Sequence, residues 1–205
     1  MPNSPKPTVF VDFHGTICND RYWRSLANEH QQALQAFLFE NNGHLVGEWM
    51  RGLHTAEAIN QIVAAELNLS YEAVWTAFVA DCRSMHVPSA VLARLRLLRP
   101  LANIVLITGN MDSFTRFTAP ALGLDGYFDA ISNSFDEGRL KTDDGGSLFS
   151  QYASRFGTPI EQCVVVDDAD DVCAVFTNLG GKALQVTVER TAEAIFDALL
   201  LSWSD

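Results

Sequence analysis

Basic residues are scarce in this 205-residue chain, where 14 Lys and Arg face 25 Asp and Glu for a formal net charge of −11. Only three lysines occur, Lys6, Lys141 and Lys182, and none lies between Ile17 and Pro100. A surface this acidic repels phosphate backbones, which argues against a nucleic-acid binder. A small anionic ligand remains compatible with it where a bound cation or local basic groups offset the field. Long apolar runs are also missing. No stretch of about 18 apolar residues is present, so no membrane span is expected. The opening MPNSPKPT carries three prolines, one lysine and no apolar segment. It reads as a disordered tail over 1–7 rather than a signal peptide. Cys18, Cys82, Cys163 and Cys173 show no CxxC spacing. Without a signal they read as reduced thiols, which places the chain in the cytoplasm. No internal repeat or low-complexity segment occurs.

What is present is strand–helix alternation. Apolar, β-branched runs cover Val9–Phe13, Ile104–Thr108, Cys163–Asp167 and Ala183–Val188, with a shorter one at Tyr127–Ser132. Each is nearly continuous in apolar character, as parallel strands buried on both faces should be. Helical patterns run over Met111–Leu122, Gly146–Phe156, Asp170–Leu179 and Thr191–Trp203. This alternation predicts an α/β fold with a Rossmann-like, doubly wound parallel sheet. One region departs from it. From Asn19 to about Val87 only helical patterns appear: a long one over Arg21–Glu40, a break at NNGHLVG, then Thr55–Leu67 and Ser70–Met85. Thr55 and Ser70 stand as N-caps, and Pro88 and Pro100 bracket a further helix. The expected organisation is therefore a core of 8–18 and 88–205 with an inserted helical cap over 19–87.

In an open parallel sheet, ligands bind at the carboxyl ends of the strands. Asp12 ends the first strand, Thr108 the second, and Asp167 and Asp168 a later one, while Lys141 lies in the loop-like EGRLKTDDGG. Carboxylates at that density repel one another unless a cation sits between them, and hard oxygen donors suit Mg²⁺. The first strand also leads straight into Asp12-Phe13-His14-Gly15-Thr16, more reactive chemistry than a packing turn needs.

These four segments together resemble the motifs of the haloacid dehalogenase superfamily, most of whose members are Mg²⁺-dependent phosphatases. The resemblance rests on VFVDFHGT with Asp12, VLITGN with Thr108, Lys141, and VVVDDADD with Asp167, Asp168 and Asp171, in the family's order. It implies a hydrolase, a phosphatase acting on a small phosphorylated metabolite. Asp12 would be the nucleophile that forms an aspartyl-phosphate. Thr108 would hydrogen-bond a phosphoryl oxygen, helped by backbone groups around Gly109 and Asn110, and Lys141 would neutralise charge. Mg²⁺ would be held by Asp12, the His14 carbonyl, and Asp168 or Asp167. The helical insert resembles the family's small cap. There Arg21 or Arg24 could meet a second anionic group of the substrate. No macromolecular partner is implied, and the chain is expected as a monomer or homodimer.

His14 departs from the pattern, since the family's phosphatases carry a second aspartate there as general acid and base. Imidazole can serve both roles near neutral pH. The dehalogenase branch replaces that aspartate with tyrosine and works without metal, which suits the retained DDADD acids less well. The phosphonate-cleaving branch needs a cap lysine, and none exists here. A weakly active phosphate-binding or regulatory protein is the remaining alternative.

Overall fold

The computed structural model describes residues 6–203. Five strands, β1 (Thr8–Val11), β2 (Asn103–Thr108), β3 (Ala130–Asn133), β4 (Cys163–Asp167) and β5 (Lys182–Gln185), form one sheet in the order β3-β2-β1-β4-β5. Every pairing is parallel, with Val11 opposite Leu106 on one side and Val166 on the other. The doubly wound parallel sheet expected from the sequence is therefore present. Four helices follow β1: α1 (Asn28–Leu34), α2 (Gly43–Met50), α3 (Ala56–Glu66) and α4 (Tyr71–Arg83). Then α5 (Ser89–Leu98) leads to β2, and a π-helical turn over Phe114–Thr118 runs into α6 (Ala119–Leu122) before β3. The chain continues through α7 (Ser134–Glu137) and α8 (Ser147–Arg155) to β4, then α9 (Asp170–Asn178), β5 and α10 (Ala192–Trp203). Among the described residues no helix is long and apolar enough to cross a membrane.

The strand period of two sorts each strand's side chains between two cores. Val9, Val11, Ile104, Leu106, Val164 and Val166 share a cluster with Leu95 and Leu98 of α5 and Phe196 and Leu199 of α10. Phe10, Val105, Ile107 and Val165 share the other with Phe149 of α8 and Phe176 of α9. Phe10 meets those two rings edge-on at 5.2 and 5.7 Å. With both faces covered, each buried side chain of this size stabilises by about 1.5–3 kcal/mol.

Element ends differ from the sequence expectation for local reasons. β1 stops at Val11, although the Asp12 N–H still donates to the Val166 carbonyl at 3.0 Å. β3 starts only at Ala130, because Tyr127 and Phe128 close a turn on the Leu124 carbonyl and the Asp129 carboxylate accepts from Ile104 N–H. β5 ends at Gln185, and Val188 is 94% exposed. Of the tail expected over 1–7, residues 1–5 lie outside the described residues. The carbonyls of Lys6 and Pro7 accept from Thr158 Oγ1 and Asn103 N–H.

The helices after β1 gather their own core around Trp23, Leu38, Trp49, Ile59, Val74 and Phe78. Thr55 and Ser70 cap α3 and α4 as expected, accepting from Ala58 and Ala73 N–H at 3.3 and 3.2 Å. The single helix expected over Arg21–Glu40 is not formed. Trp23 takes a left-handed φ of 55° that a continuous helix forbids. That backbone turn seats its ring against Phe78 at 4.7 Å and its indole N–H on Asn60 Oδ1. The helix then starts at Asn28 and continues as a π-helix over Gln35–Asn41, and the break expected at NNGHLVG falls at non-helical Asn42, directly before α2 begins at Gly43.

One buried carboxylate ties this helical block to the sheet's strand ends. Asp112, 4% exposed, accepts from Trp49 Nε1 at 2.8 Å and from Ala56 N–H at 3.1 Å. Arg116 pairs with it at 2.8 Å and reaches on to Glu57. Removing a buried acceptor strands its donors at about 1–3 kcal/mol each. Asp112→Ala is therefore expected to lower the unfolding free energy by about 2–4 kcal/mol in urea titration. Glu57→Ala, which breaks only the exposed arm, should cost no more than about 1 kcal/mol. Equal effects would show that Asp112 does not anchor the block.

Candidate active site

The chain builds outward from β1 to β2 and β3, then returns to the other side of β1 with β4 and β5. The strand order therefore reverses beside the central strand, where the carboxyl ends open into a crevice. Asp12 leaves β1 there, and Asp167 and Asp168 leave β4. Lys141 reaches the same point from the α7–α8 connection. Its ammonium lies 2.6 Å from Asp12 Oδ1 and 2.5 Å from Asp167 Oδ2, with Lys141 9% exposed and Asp167 fully buried. Burial pulls the Lys141 ammonium down, but the Asp12 and Asp167 carboxylates outweigh it and its pKa is raised. It stays charged at any working pH.

The loop carrying Lys141 is held from the helical block. Arg51, just past α2, forks onto Asp143 with two bonds of 2.9 Å, and Asp143 accepts from Leu140 N–H at 2.9 Å. The guanidinium holds the Asp143 carboxyl below its ordinary range. Nothing in the sequence pattern marks Arg51, because a salt bridge across 92 residues has no local signature.

Asp12, Asp167 and Asp168 each offer a carboxylate oxygen within 4.8 Å of the others. Burial first, and Asp12's charge second, push the Asp167 and Asp168 carboxyls up. One lysine does not balance three such acids. A divalent cation fits this donor set: the ligands are hard oxygens, and positive charge among them relieves the repulsion that raises their affinity for protons. Asp171, which the sequence left as a possible fourth member, is outside the cluster and accepts from Val172 N–H at the start of α9. Gly15 makes room beside Asp168. At φ 78°, a Cβ there would sit 2.3 Å from Asp168 Oδ2, while Thr16 Oγ1 donates to Oδ1 of the same carboxylate at 3.2 Å.

Asn110 organises the opposite wall. Its Oδ1 accepts from the Met111 N–H at 3.1 Å, an unambiguous donor, and from the Tyr22 hydroxyl at 2.5 Å. Its Nδ2 therefore faces His14 Nδ1, 3.0 Å away, and Thr108 Oγ1 at 3.5 Å. His14 Nδ1 must then accept, which assigns the proton of the neutral ring to Nε2. Burial lowers the His14 pKa, partly offset by Asp12 and the Asp20 main chain. Nε2 is buried and makes no hydrogen bond. The Asn110 N–H expected to serve a phosphoryl oxygen instead donates to Ser134 Oγ at 2.9 Å.

A cavity of about 410 Å³ opens between the strand ends and the helical block, bounded on the sheet side by His14, Gly109, Asn110 and Met111. Arg21 lines it, exposed and with no side-chain partner among the described residues. Arg24 does not. Its guanidinium donates to the Asp81 carbonyl and Ser84 Oγ at 2.8 Å each, so the structure makes it an anchor to α4 rather than a ligand contact. Tyr22 carries the link from the block to Asn110.

The family model for haloacid dehalogenase-like hydrolases matches residues 6–175. This chain belongs to that family. No curated protein sequence matches it significantly. Among solved structures, a HAD family enzyme from Bacteroides thetaiotaomicron, in complex with magnesium and inorganic phosphate, superposes with a TM-score of 0.70 at 15% identity, over 89% of this chain and 94% of that one. A predicted HAD-like hydrolase from Porphyromonas gingivalis gives 0.69 at 16% identity, covering 96% and 98%. A 2-haloacid dehalogenase from Pseudomonas syringae pv. Tomato DC3000 gives 0.65 at 16%, covering 97% and 99%. At these identities the likeness establishes the HAD fold, which this chain shares across most of its length.

The carboxylate cluster generates a direct test. Saturating Mg²⁺ is expected to raise the melting temperature, since a ligand at 100 times its Kd adds about 2.7 kcal/mol. Asp168→Asn should remove most of that shift, while Asp171→Asn should keep it. A wild-type melting temperature indifferent to Mg²⁺ would rule the cluster out as a metal centre.

Proposed function

We propose that this HAD hydrolase is a phosphomonoesterase that uses Mg²⁺ and passes through an aspartyl-phosphate on Asp12. One observation carries the reading: three convergent carboxylates with a buried lysine bridging two of them, a surplus of negative charge that a phosphate ester could approach only beside a cation. Mg²⁺ held by Asp12, Asp167 and Asp168, with the His14 carbonyl, would supply positive charge next to the transferring group. The chain's residues do the rest. Lys141 holds the Asp12 carboxylate in place and keeps a fixed positive charge beside it. The Asp12 oxygen attacks phosphorus as the bond to the ester oxygen breaks, and the departing alkoxide takes up a proton. Water then attacks the acyl-phosphate phosphorus, loses a proton, and inorganic phosphate leaves with Asp12 restored. Thr108 and Gly109 stand at the end of β2 to receive phosphoryl oxygens. Such positioned charge supplies most of the rate in phosphoryl transfer. Mg²⁺ complexes with phosphate in a structural neighbour are consistent with this reading, while a dehalogenase neighbour keeps halide displacement as its rival.

Release of phosphate from p-nitrophenyl phosphate should require Mg²⁺ and vanish on chelation. Asp12→Asn should lose at least about 10³-fold of it while the variant still folds to the same secondary structure by circular dichroism. Retained turnover in that variant would exclude a covalent Asp12 step. Metal-free halide release from 2-chloropropionate, without phosphate release, would establish the rival. Binding of orthophosphate with Mg²⁺ but no turnover would point to a regulatory protein.

His14 acts in this scheme as a neutral hydrogen-bond donor through Nε2. With the proton held there by the Asn110 amide on Nδ1, the ring can stabilise charge developing on the leaving oxygen, while the proton itself comes from solvent. Removing one such donor typically costs about 10²–10³-fold. His14→Ala should lower turnover of alkyl phosphates by that factor and of p-nitrophenyl phosphate by less, because the nitrophenolate delocalises its charge and needs no donor. Equal activity of His14→Ala and wild type on an alkyl phosphate would remove His14 from the mechanism.

A further inference from the structure

We infer that the substrate is the phosphate ester of a small, largely apolar alcohol, aromatic or branched aliphatic, and not of a sugar or polyol; this rests on the phosphatase reading above. The observation is the state of the cavity wall beyond His14. Tyr22, Trp23, Leu34, Val46, Met50 and Met111, with Phe39 at the rim and 40% exposed, are half of the residues that line it. Most of the polar side chains that share the wall already have partners inside the protein. The Tyr22 hydroxyl donates to Asn110 and the Trp23 indole N–H to Asn60. Both donors of Gln31 Nε2 are used, on the carbonyls of Arg24 and Leu26 at 2.9 and 2.7 Å. The Asn110 amide is spent on His14, Thr108, Met111 and Tyr22. Asp20 accepts the His86 N–H at 2.7 Å. The side-chain donors left over among the described lining residues are His14 Nε2, which is buried, and Arg21 and Gln35, which are exposed.

A polyol placed here would lose water from each hydroxyl and find few partners in exchange, since the lining side chains keep only one Asp20 carboxylate oxygen and Gln31 Oε1 as unengaged acceptors besides the exposed rim. An apolar group of similar size would gain by leaving water, and a cavity of about 410 Å³ is within the range that holds one. Any single polar or anionic group on the substrate is confined to the rim, where Arg21 can meet it. The wall thus selects by what it does not offer.

The test compares 2-phenylethyl phosphate with xylitol 5-phosphate, close in size, with Mg²⁺ and the full chain. Leaving-group acidity slightly favours the polyol, so a preference for the phenylethyl ester reports the cavity. The expected ratio of kcat/KM is on the order of 10²-fold in favour of the apolar ester. Phe39→Ser, at an exposed position outside the buried core and checked for an unchanged melting temperature, should narrow the ratio several-fold by raising KM for the apolar ester. p-Nitrophenyl phosphate and acetyl phosphate are run beside them. If both are hydrolysed but the ratio is near one or reversed, the apolar assignment is overturned and the phosphatase reading stands. If neither releases phosphate, both fall together. A high ratio that Phe39→Ser leaves untouched would mean the preference arises elsewhere, and would overturn the assignment to this cavity.

Discussion

The bridge from Lys141 to Asp12 and Asp167 is the constraint that orders the rest of the site. It brings one cation, from a loop between α7 and α8, into contact with acids from two adjacent strands. Two carboxylates this deeply buried repel each other, and neither would be tolerated without a partner. The lysine cannot be replaced by another nearby base, because the chain has so few. Its loop must therefore be positioned accurately, and Arg51 does this from the helical block through Asp143. The placement of the reacting groups thus depends on contact between the block and the sheet.

The same dependence recurs twice on the opposite wall. Asp112 joins Trp49 and α3 to the segment just past β2, and Tyr22 reaches Asn110 in that segment. Asn110 in turn fixes the tautomer of His14. These links convert the position of the helices into the protonation geometry of one imidazole. Should the helices shift, Lys141, Asn110 and His14 would all lose a support. The site is complete only with the block seated.

The sequence revealed the sheet and its strand-end acids because those depend on local signals. Continuous β-branched runs at Val9, Ile104 and Val164 can only be strands buried on both faces, and an acid at such a strand's end has one place to go. Thr55 and Ser70 were legible as caps for the same reason. The stretch after Cys18 was not legible. Its apolar spacing fits one long helix, but Trp23 and Tyr22 are drawn into two different contacts, with Phe78 and with Asn110, and the backbone turns left-handed to satisfy both. Arg24 was misread because an arginine near a reactive loop looks like a ligand contact until Asp81 and Ser84, some 60 residues away, are seen to hold it. Long-range polar pairing decides such cases, and no window of sequence contains it.

Histidine at position 14 makes physical sense in a chain this acidic. An aspartate there would add a fourth carboxylate beside Asp12, Asp167 and Asp168, with Lys141 still the one buried cation facing them. Burial and the Asn110 amide both favour the neutral ring, so His14 adds no charge to either side of that balance. Three acids and one lysine leave two negative charges, which a single dication offsets. On the phosphatase reading proposed above, a phosphate dianion approaching past Arg21 would then meet a site close to neutral, although the chain as a whole is strongly negative. The scarcity of lysine and the loss of the second aspartate are thus two sides of one electrostatic solution.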